Sequence, residues 1–184
     1  MTDSANDRLP DTVDTAAYMQ DPERRQRRTS GSEKELLSAF LDFERDTILW
    51  KLSGLTDEQL RMRRTPSGVS LLGLVKHLAY VERSWFQRRF LGRDVYIAWR
   101  SGDPNGDFHI SPDELPASVL DFYAAEAAES RRIVAACDSL DTLARNVDSP
   151  RSLRWILIHM IEETARHAGH ADLMREMADG QTGE

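Results

Sequence analysis

Four residues near the C-terminal end combine metal-binding side chains with helical spacing: His159, Glu163, His167 and His170. Imidazole and carboxylate groups suit zinc, and nickel, manganese and iron accept the same donors. At about 100° per residue, each four-residue step advances only about 40° around a helix. His159, Glu163 and His167 therefore climb one stripe, with His170 in the same sector. A polar stripe also fits a solvated face, and for His159 and His170 the plain alternative is a partly exposed helix residue. This stripe, however, begins at Trp155 and adjoins Met160 and Ala171, so it is expected to face partly inward. A buried ionisable group must be paired or must bind metal, because desolvating it alone is costly.

Glu163 and His167 stand at i and i+4, where helical side chains are neighbours and can reach one ion. A third ligand must come from elsewhere, and His77, inside another helical segment, is the natural candidate. Three protein ligands with one open position is the pattern of a catalytic rather than a structural zinc site. The zincin motif H-E-x-x-H is absent, since Met160 follows His159. The di-iron bundle signature Glu-x-x-His is absent as well. A single ion fits better. The one cysteine, Cys137, cannot make an internal disulfide or a CxxC site, and its apolar setting reads as a small buried hydrophobe.

Helices must position these groups. Ser32 with Glu35 fits a capping box, and Leu36, Leu37, Phe40, Phe43, Thr47 and Ile48 then recur at three- and four-residue steps to about Leu52. A short turn is expected over 56–64. A second long helix follows Ser70, carries Leu71, Leu74, Val75, His77, Leu78, Val81 and Trp85, and stops at Gly92. Residues 93–113 form a long connection of the kind that often lines functional sites. Such a length also lets two consecutive bundle helices run parallel. A third helix begins between Ser111 and Pro116 and ends near Asp138, and Ser149-Pro150 opens the last, which Gly180 closes. No alternating strand pattern occurs. The expected class is all-α, a four-helix bundle over 31–184 with a long connection between its second and third main helices. Residues 1–30, polar and poor in large apolar groups, read as a flexible N-terminal arm in which Tyr18 and Met19 are the sizeable apolar pair.

Composition narrows the function. The chain has 184 residues, 24 basic against 31 acidic, a net charge of −7. Its dense basic cluster, Arg24, Arg25, Arg27 and Arg28, falls in the arm, so a nucleic-acid partner is disfavoured. No run approaches the ~20 apolar residues of a membrane span, and residues 1–20 lack the apolar centre of a secretory signal. The expectation is a cytoplasmic protein acting on a small molecule, with no membrane partner.

Two longer segments carry a family resemblance. Residues 65–78, from Thr65-Pro66-Ser67-Gly68 through Lys76-His77-Leu78, and residues 152–172, from Ser152 through Trp155, His159, Glu163, His167 and His170 to Asp172, resemble the N- and C-terminal signatures of one branch of the DinB-like superfamily. That branch is related to mycothiol-dependent maleylpyruvate isomerases. The resemblance spans about residues 33 to 180. It implies a four-helix bundle with one divalent metal ion, zinc first, held by His77, Glu163 and His167. Most of the superfamily ends in His-x-x-x-His-Arg-Gly-Gln. Glu163 stands here where the first histidine would be, as in the maleylpyruvate isomerases, and His170 where the glutamine would be.

The resemblance also implies a metal-dependent S-transferase or isomerase using a low-molecular-weight thiol such as mycothiol or bacillithiol. His159 and His170 would then be neighbours that support the ligands or carry protons, and Arg154 or Arg166 could meet an anionic cosubstrate. The alternative is a metal- or small-molecule-binding bundle without turnover. A structural bundle forming a homodimer through Trp50, Trp85 or Trp99 ranks behind both.

Overall fold

The computed structural model describes residues 28–63, 65–100, 102–146 and 150–182. The arm read over 1–30 therefore lies outside the described residues up to residue 27, together with Tyr18 and Met19, and so does Ser149. The helices are α1 (Glu33–Leu52), the short α2 (Asp57–Arg61), α3 (Leu71–Glu82), α4 (Pro116–Ala135) and α5 (Leu153–Asp179). Among the described residues there is no strand, only an isolated bridge between Leu143 and Ser152.

Local chemistry sets most boundaries. Ser32 and Glu35 form the reciprocal capping box of α1, and Thr56 with Gln59 does the same for α2. Ser70 caps α3, and Pro116 is the first residue of α4. The last helix opens on Ser152, whose side chain accepts from the Trp155 backbone N–H, three residues later than the Ser149-Pro150 opening expected from the sequence. It stops at Gly180 with φ of 82°, a left-handed conformation that glycine adopts without a Cβ clash. α4 ends at Ala135, short of the expected Asp138. The second long helix also changes character: Arg83–Phe90 continues α3 as a π-helix.

Ion pairs fix the directions. Arg154 meets Glu33 at 2.7 Å and Lys51 meets Asp172 at 2.5 Å, so α1 and α5 run parallel. Lys76 meets Glu114 at 2.8 Å, just before α4, while Arg83 meets Glu126 at 2.6 Å further along, so α3 and α4 are parallel too. The long connection makes this possible. The two pairs oppose each other: Ile48 and Leu52 of α1 share a core cluster with Leu71 and Leu74, whereas Leu41 clusters with Val81, Phe86 and Phe90. Each fully buried leucine of these clusters stabilises the fold by about 1.5–3 kcal/mol. No described helix is long and apolar enough to cross a membrane.

Candidate metal centre

His77 stands on the second turn of α3, and Glu163 and His167 stand one turn apart in the middle of α5. Packing of α3 against α5 brings them together, with one donor atom from each within 4.8 Å of the others. Glu163 Oε1 lies 3.6 Å from His77 Nε2 and 3.3 Å from His167 Nε2. The three side chains are 14 %, 17 % and 13 % exposed, which leaves them reachable from one side. Two imidazole nitrogens and one carboxylate oxygen converging on one point form a donor set that fits a single divalent ion.

The 93–113 connection completes the site. Asp107, 2 % exposed, takes His77 Nδ1 at 2.5 Å, which leaves Nε2 turned toward Glu163. Phe108 stacks on the His77 ring with centroids 4.1 Å apart and 11° between planes, and Trp99 stands 6.4 Å away. The segment can lie this close because residue 73 is glycine: a Cβ there would collide with the Phe108 carbonyl oxygen. Lys76 adds a tether by donating to the His109 carbonyl oxygen and to Glu114, both at 2.8 Å. Sequence reading pointed to this connection but not to Asp107, whose acidity looks the same as that of Asp103 or Asp113. A buried oxygen of Asp107, Oδ1, has no hydrogen-bond partner among the described residues.

Electrostatics bind the cluster. The hydrogen bonds from His167 and then His77 hold the Glu163 carboxyl well below the usual carboxylate range, against the opposing effect of burial. Burial disfavours the charged form of His77, but its bonds to Asp107 and Glu163 prevail and its pKa is raised.

The remaining sequence candidates separate. His170 is exposed and brings Nδ1 to 3.4 Å from His167 Nδ1, on the far side of that ring from Glu163. Arg166 stands over the outer oxygen of Glu163 at 3.6 Å and also pairs with Glu162. His159 is packed between two indoles, 4.6 Å from Trp85 and 5.1 Å from Trp155 by ring centroids. Burial lowers its pKa. Arg154 lies in the first turn of α5, paired with Glu33 and Asp141, about 13 Å along the helix from Glu163 at 1.5 Å per residue. His109 turns away to Asp103, 2.9 Å distant. Of the three tryptophans considered for a dimer contact, Trp50 lies under the Lys51 ammonium, Trp85 packs on Trp155, and Trp99 faces His77 and Tyr80.

Residues 36–180 match the mycothiol-S-transferase family, a span that takes in the four main helices but for the first three residues of α1, and every residue of the centre. The chain belongs to that family. The expected DinB-like relationship holds with it, and the cosubstrate class the family name denotes is a small-molecule thiol. No curated protein matches the chain.

Proposed function

We propose that this protein is a metal-dependent S-transferase that joins a low-molecular-weight thiol, mycothiol first, to a small electrophile. The observation that carries the reading is the convergence of His77 Nε2, Glu163 Oε1 and His167 Nε2 within a family of thiol transferases. These residues would hold one divalent ion, zinc by preference, with nickel, manganese or iron accepted by the same donors. When bound, the ion would stabilise the thiolate form of the cosubstrate and act as a Lewis acid.

The protein groups prepare that chemistry. Asp107 fixes the His77 tautomer by accepting from Nδ1, the usual arrangement behind a metal-binding imidazole. Stacked Phe108 keeps the ring from turning. His170 stands at the second nitrogen of His167 and would hold its tautomer in the same way. Arg166 steadies the outer oxygen of Glu163. Phe108 and Trp99 wall the centre with apolar surface, which limits water beside the thiolate.

The test is conjugation of 1-chloro-2,4-dinitrobenzene by zinc-loaded protein with mycothiol, bacillithiol and glutathione in turn. Acceleration with mycothiol is expected, together with its loss in the His77→Ala/His167→Ala variant. Metal-loaded protein that accelerates none of the three reactions would be a binding bundle without turnover.

A further inference from the structure

One side of the bundle is left unfilled among the described residues. α1 packs on α5, α5 on α3 and α3 on α4, but α1 and α4 scarcely touch. Polar side chains span the gap instead. Near the start of α1, Lys34 Nζ donates to the carbonyl oxygens of Ala135 and Cys137, at 3.3 and 2.6 Å. Two turns further on, Asp42 accepts from Arg131 Nε at 2.8 Å. Between these ties lies a cavity of about 530 Å³ that opens to solvent. Leu41, Val134 and Leu157 give it an apolar floor, and its walls carry the short side chains of Ser38, Ala39 and Ala135. A liquid water takes ~30 Å³, so the cavity has room for a large side chain. It lies across the bundle from the α3–α5 seam that holds His77, Glu163 and His167.

The described residues begin at the rim of this cavity. Arg28 lines it, paired with Glu35 at 2.8 Å. Residues 1–27 precede it in the sequence and include the adjacent apolar pair Tyr18 and Met19. Ten residues separate Tyr18 from Arg28. An extended chain covers about 3.3 Å per residue, so the pair has a reach of about 33 Å from the rim. From Lys34 to Asp42 the cavity follows only about 12 Å of helix. Charge favours the same match. Asp11, Asp14, Asp21 and Glu23 flank Tyr18-Met19, with no basic residue from 11 to 23. On the rim, Arg28, Arg45 and Arg131 each meet a carboxylate, whereas Lys34 meets carbonyl oxygens and no carboxylate among the described residues. An ammonium carries three donors, so one of Lys34 is open to an acidic segment.

We infer that the N-terminal segment docks on its own domain: Tyr18 and Met19 fill the α1–α4 cavity, and the acidic residues beside them face Lys34. Each side chain suits its place. Tyrosine brings an apolar ring to the leucine floor and a polar tip to the lysine and carbonyl rim. The unbranched thioether of methionine adapts to an irregular gap. Docked in this way, the segment joins α1 to α4 and closes the open side of the bundle. The inference goes beyond the S-transferase reading and needs neither the metal nor the thiol.

The experiment is photocrosslinking of the full chain carrying Tyr18→p-benzoylphenylalanine, an aromatic side chain that inserts into nearby C–H bonds on irradiation, with the product mapped by mass spectrometry of its fragments. The expected product is a cross-link within one chain to residues 34–45, 131–137 or 157. Ala39→Arg, which fills the cavity from its wall, should abolish it. Circular dichroism melts show whether that variant is folded, and Ala135→Arg, at the exposed end of α4, is read if it is not. Leu173→Arg, on the exposed face of α5, should leave the product intact and serves as the control. Cross-links between two chains would give the cavity to a second copy and overturn the proposal. Cross-links spread over other parts of the fold, no cross-link at all, or a folded cavity variant that keeps the product would overturn it as well. His77→Ala/His167→Ala should give the wild-type pattern. The docking can therefore stand if the metal reading fails, or fail while that reading stands.

Discussion

Two polar clusters sit little more than one turn apart on α3, and they are built to opposite ends. At Glu82 the chain buries a carboxylate 1 % exposed and closes it completely: Arg45 Nε and Nη2 donate to its two oxygens, each at 2.7 Å, and Arg45 Nη1 donates to Asp42. At His77 the groups are all acceptors or shared donors, they converge on one point, and one side stays open. The first cluster is complete in itself. The second has the donors to take a cation, as the proposed function requires, and that difference separates a structural ion pair from a candidate site.

The largest expected effect comes from breaking the closed cluster. Glu82→Gln strands the Arg45 charge in the core and should destabilise the protein by about 3–5 kcal/mol in urea unfolding. Replacing both partners with apolar residues should recover much of that loss. The open cluster should respond in the reverse sense, gaining stability when a cation is supplied. Zinc at a hundredfold excess over its dissociation constant should add about 2.7 kcal/mol. For a chain of this size that raises the melting temperature by roughly 5–10 °C. The gain should vanish in His77→Ala/His167→Ala.

Acid should reverse it too. Metal ligation requires neutral His77, whose pKa is raised, so the zinc-dependent shift is present at high pH and is lost as pH falls through that raised value.

Next in size are the residues behind the ligands. Asp107→Asn should weaken metal affinity about 10- to 100-fold in competition with a chelator, with little change in apo stability. Gly73→Ala should do similar damage from a distance. Alanine favours the helix by roughly 0.8–1 kcal/mol over glycine. Its Cβ, though, would push away the Phe108 backbone and Asp107 with it.

The smallest effect belongs to a surface cluster of three, Glu129 with Arg132 and Arg93, each at 2.5 Å. Those two partners hold the Glu129 carboxyl down to about 2. Its contribution is therefore present above the ordinary carboxylate range and lost only as pH falls toward that value. Glu129→Gln should cost at most about 1 kcal/mol at neutral pH.

Signals that act within a few residues were legible in the sequence. Ser32–Glu35, Ser70, Pro116 and Gly180 mark helix ends through local caps and backbone preference, and the Glu163–His167 step follows from helical geometry alone. What depends on distant contact was not. Asp107 earns its role because Gly73 admits its loop, and neither residue signals the other across 34 positions. Nothing local in the sequence pairs Arg45 with Glu82; only the packing of α1 on α3 brings them together. His159 shares the projected sector of the ligands, yet the indoles of Trp85 and Trp155 hold it one turn away. The π-helical run Arg83–Phe90 left no trace in an apolar pattern read at one fixed period.

The most direct test of the account is the metal content of purified protein, reloaded with zinc and desalted, measured by inductively coupled plasma mass spectrometry beside His77→Ala/His167→Ala. One equivalent per chain is expected in the wild type and close to none in the variant. Equal retention by the two proteins would contradict it.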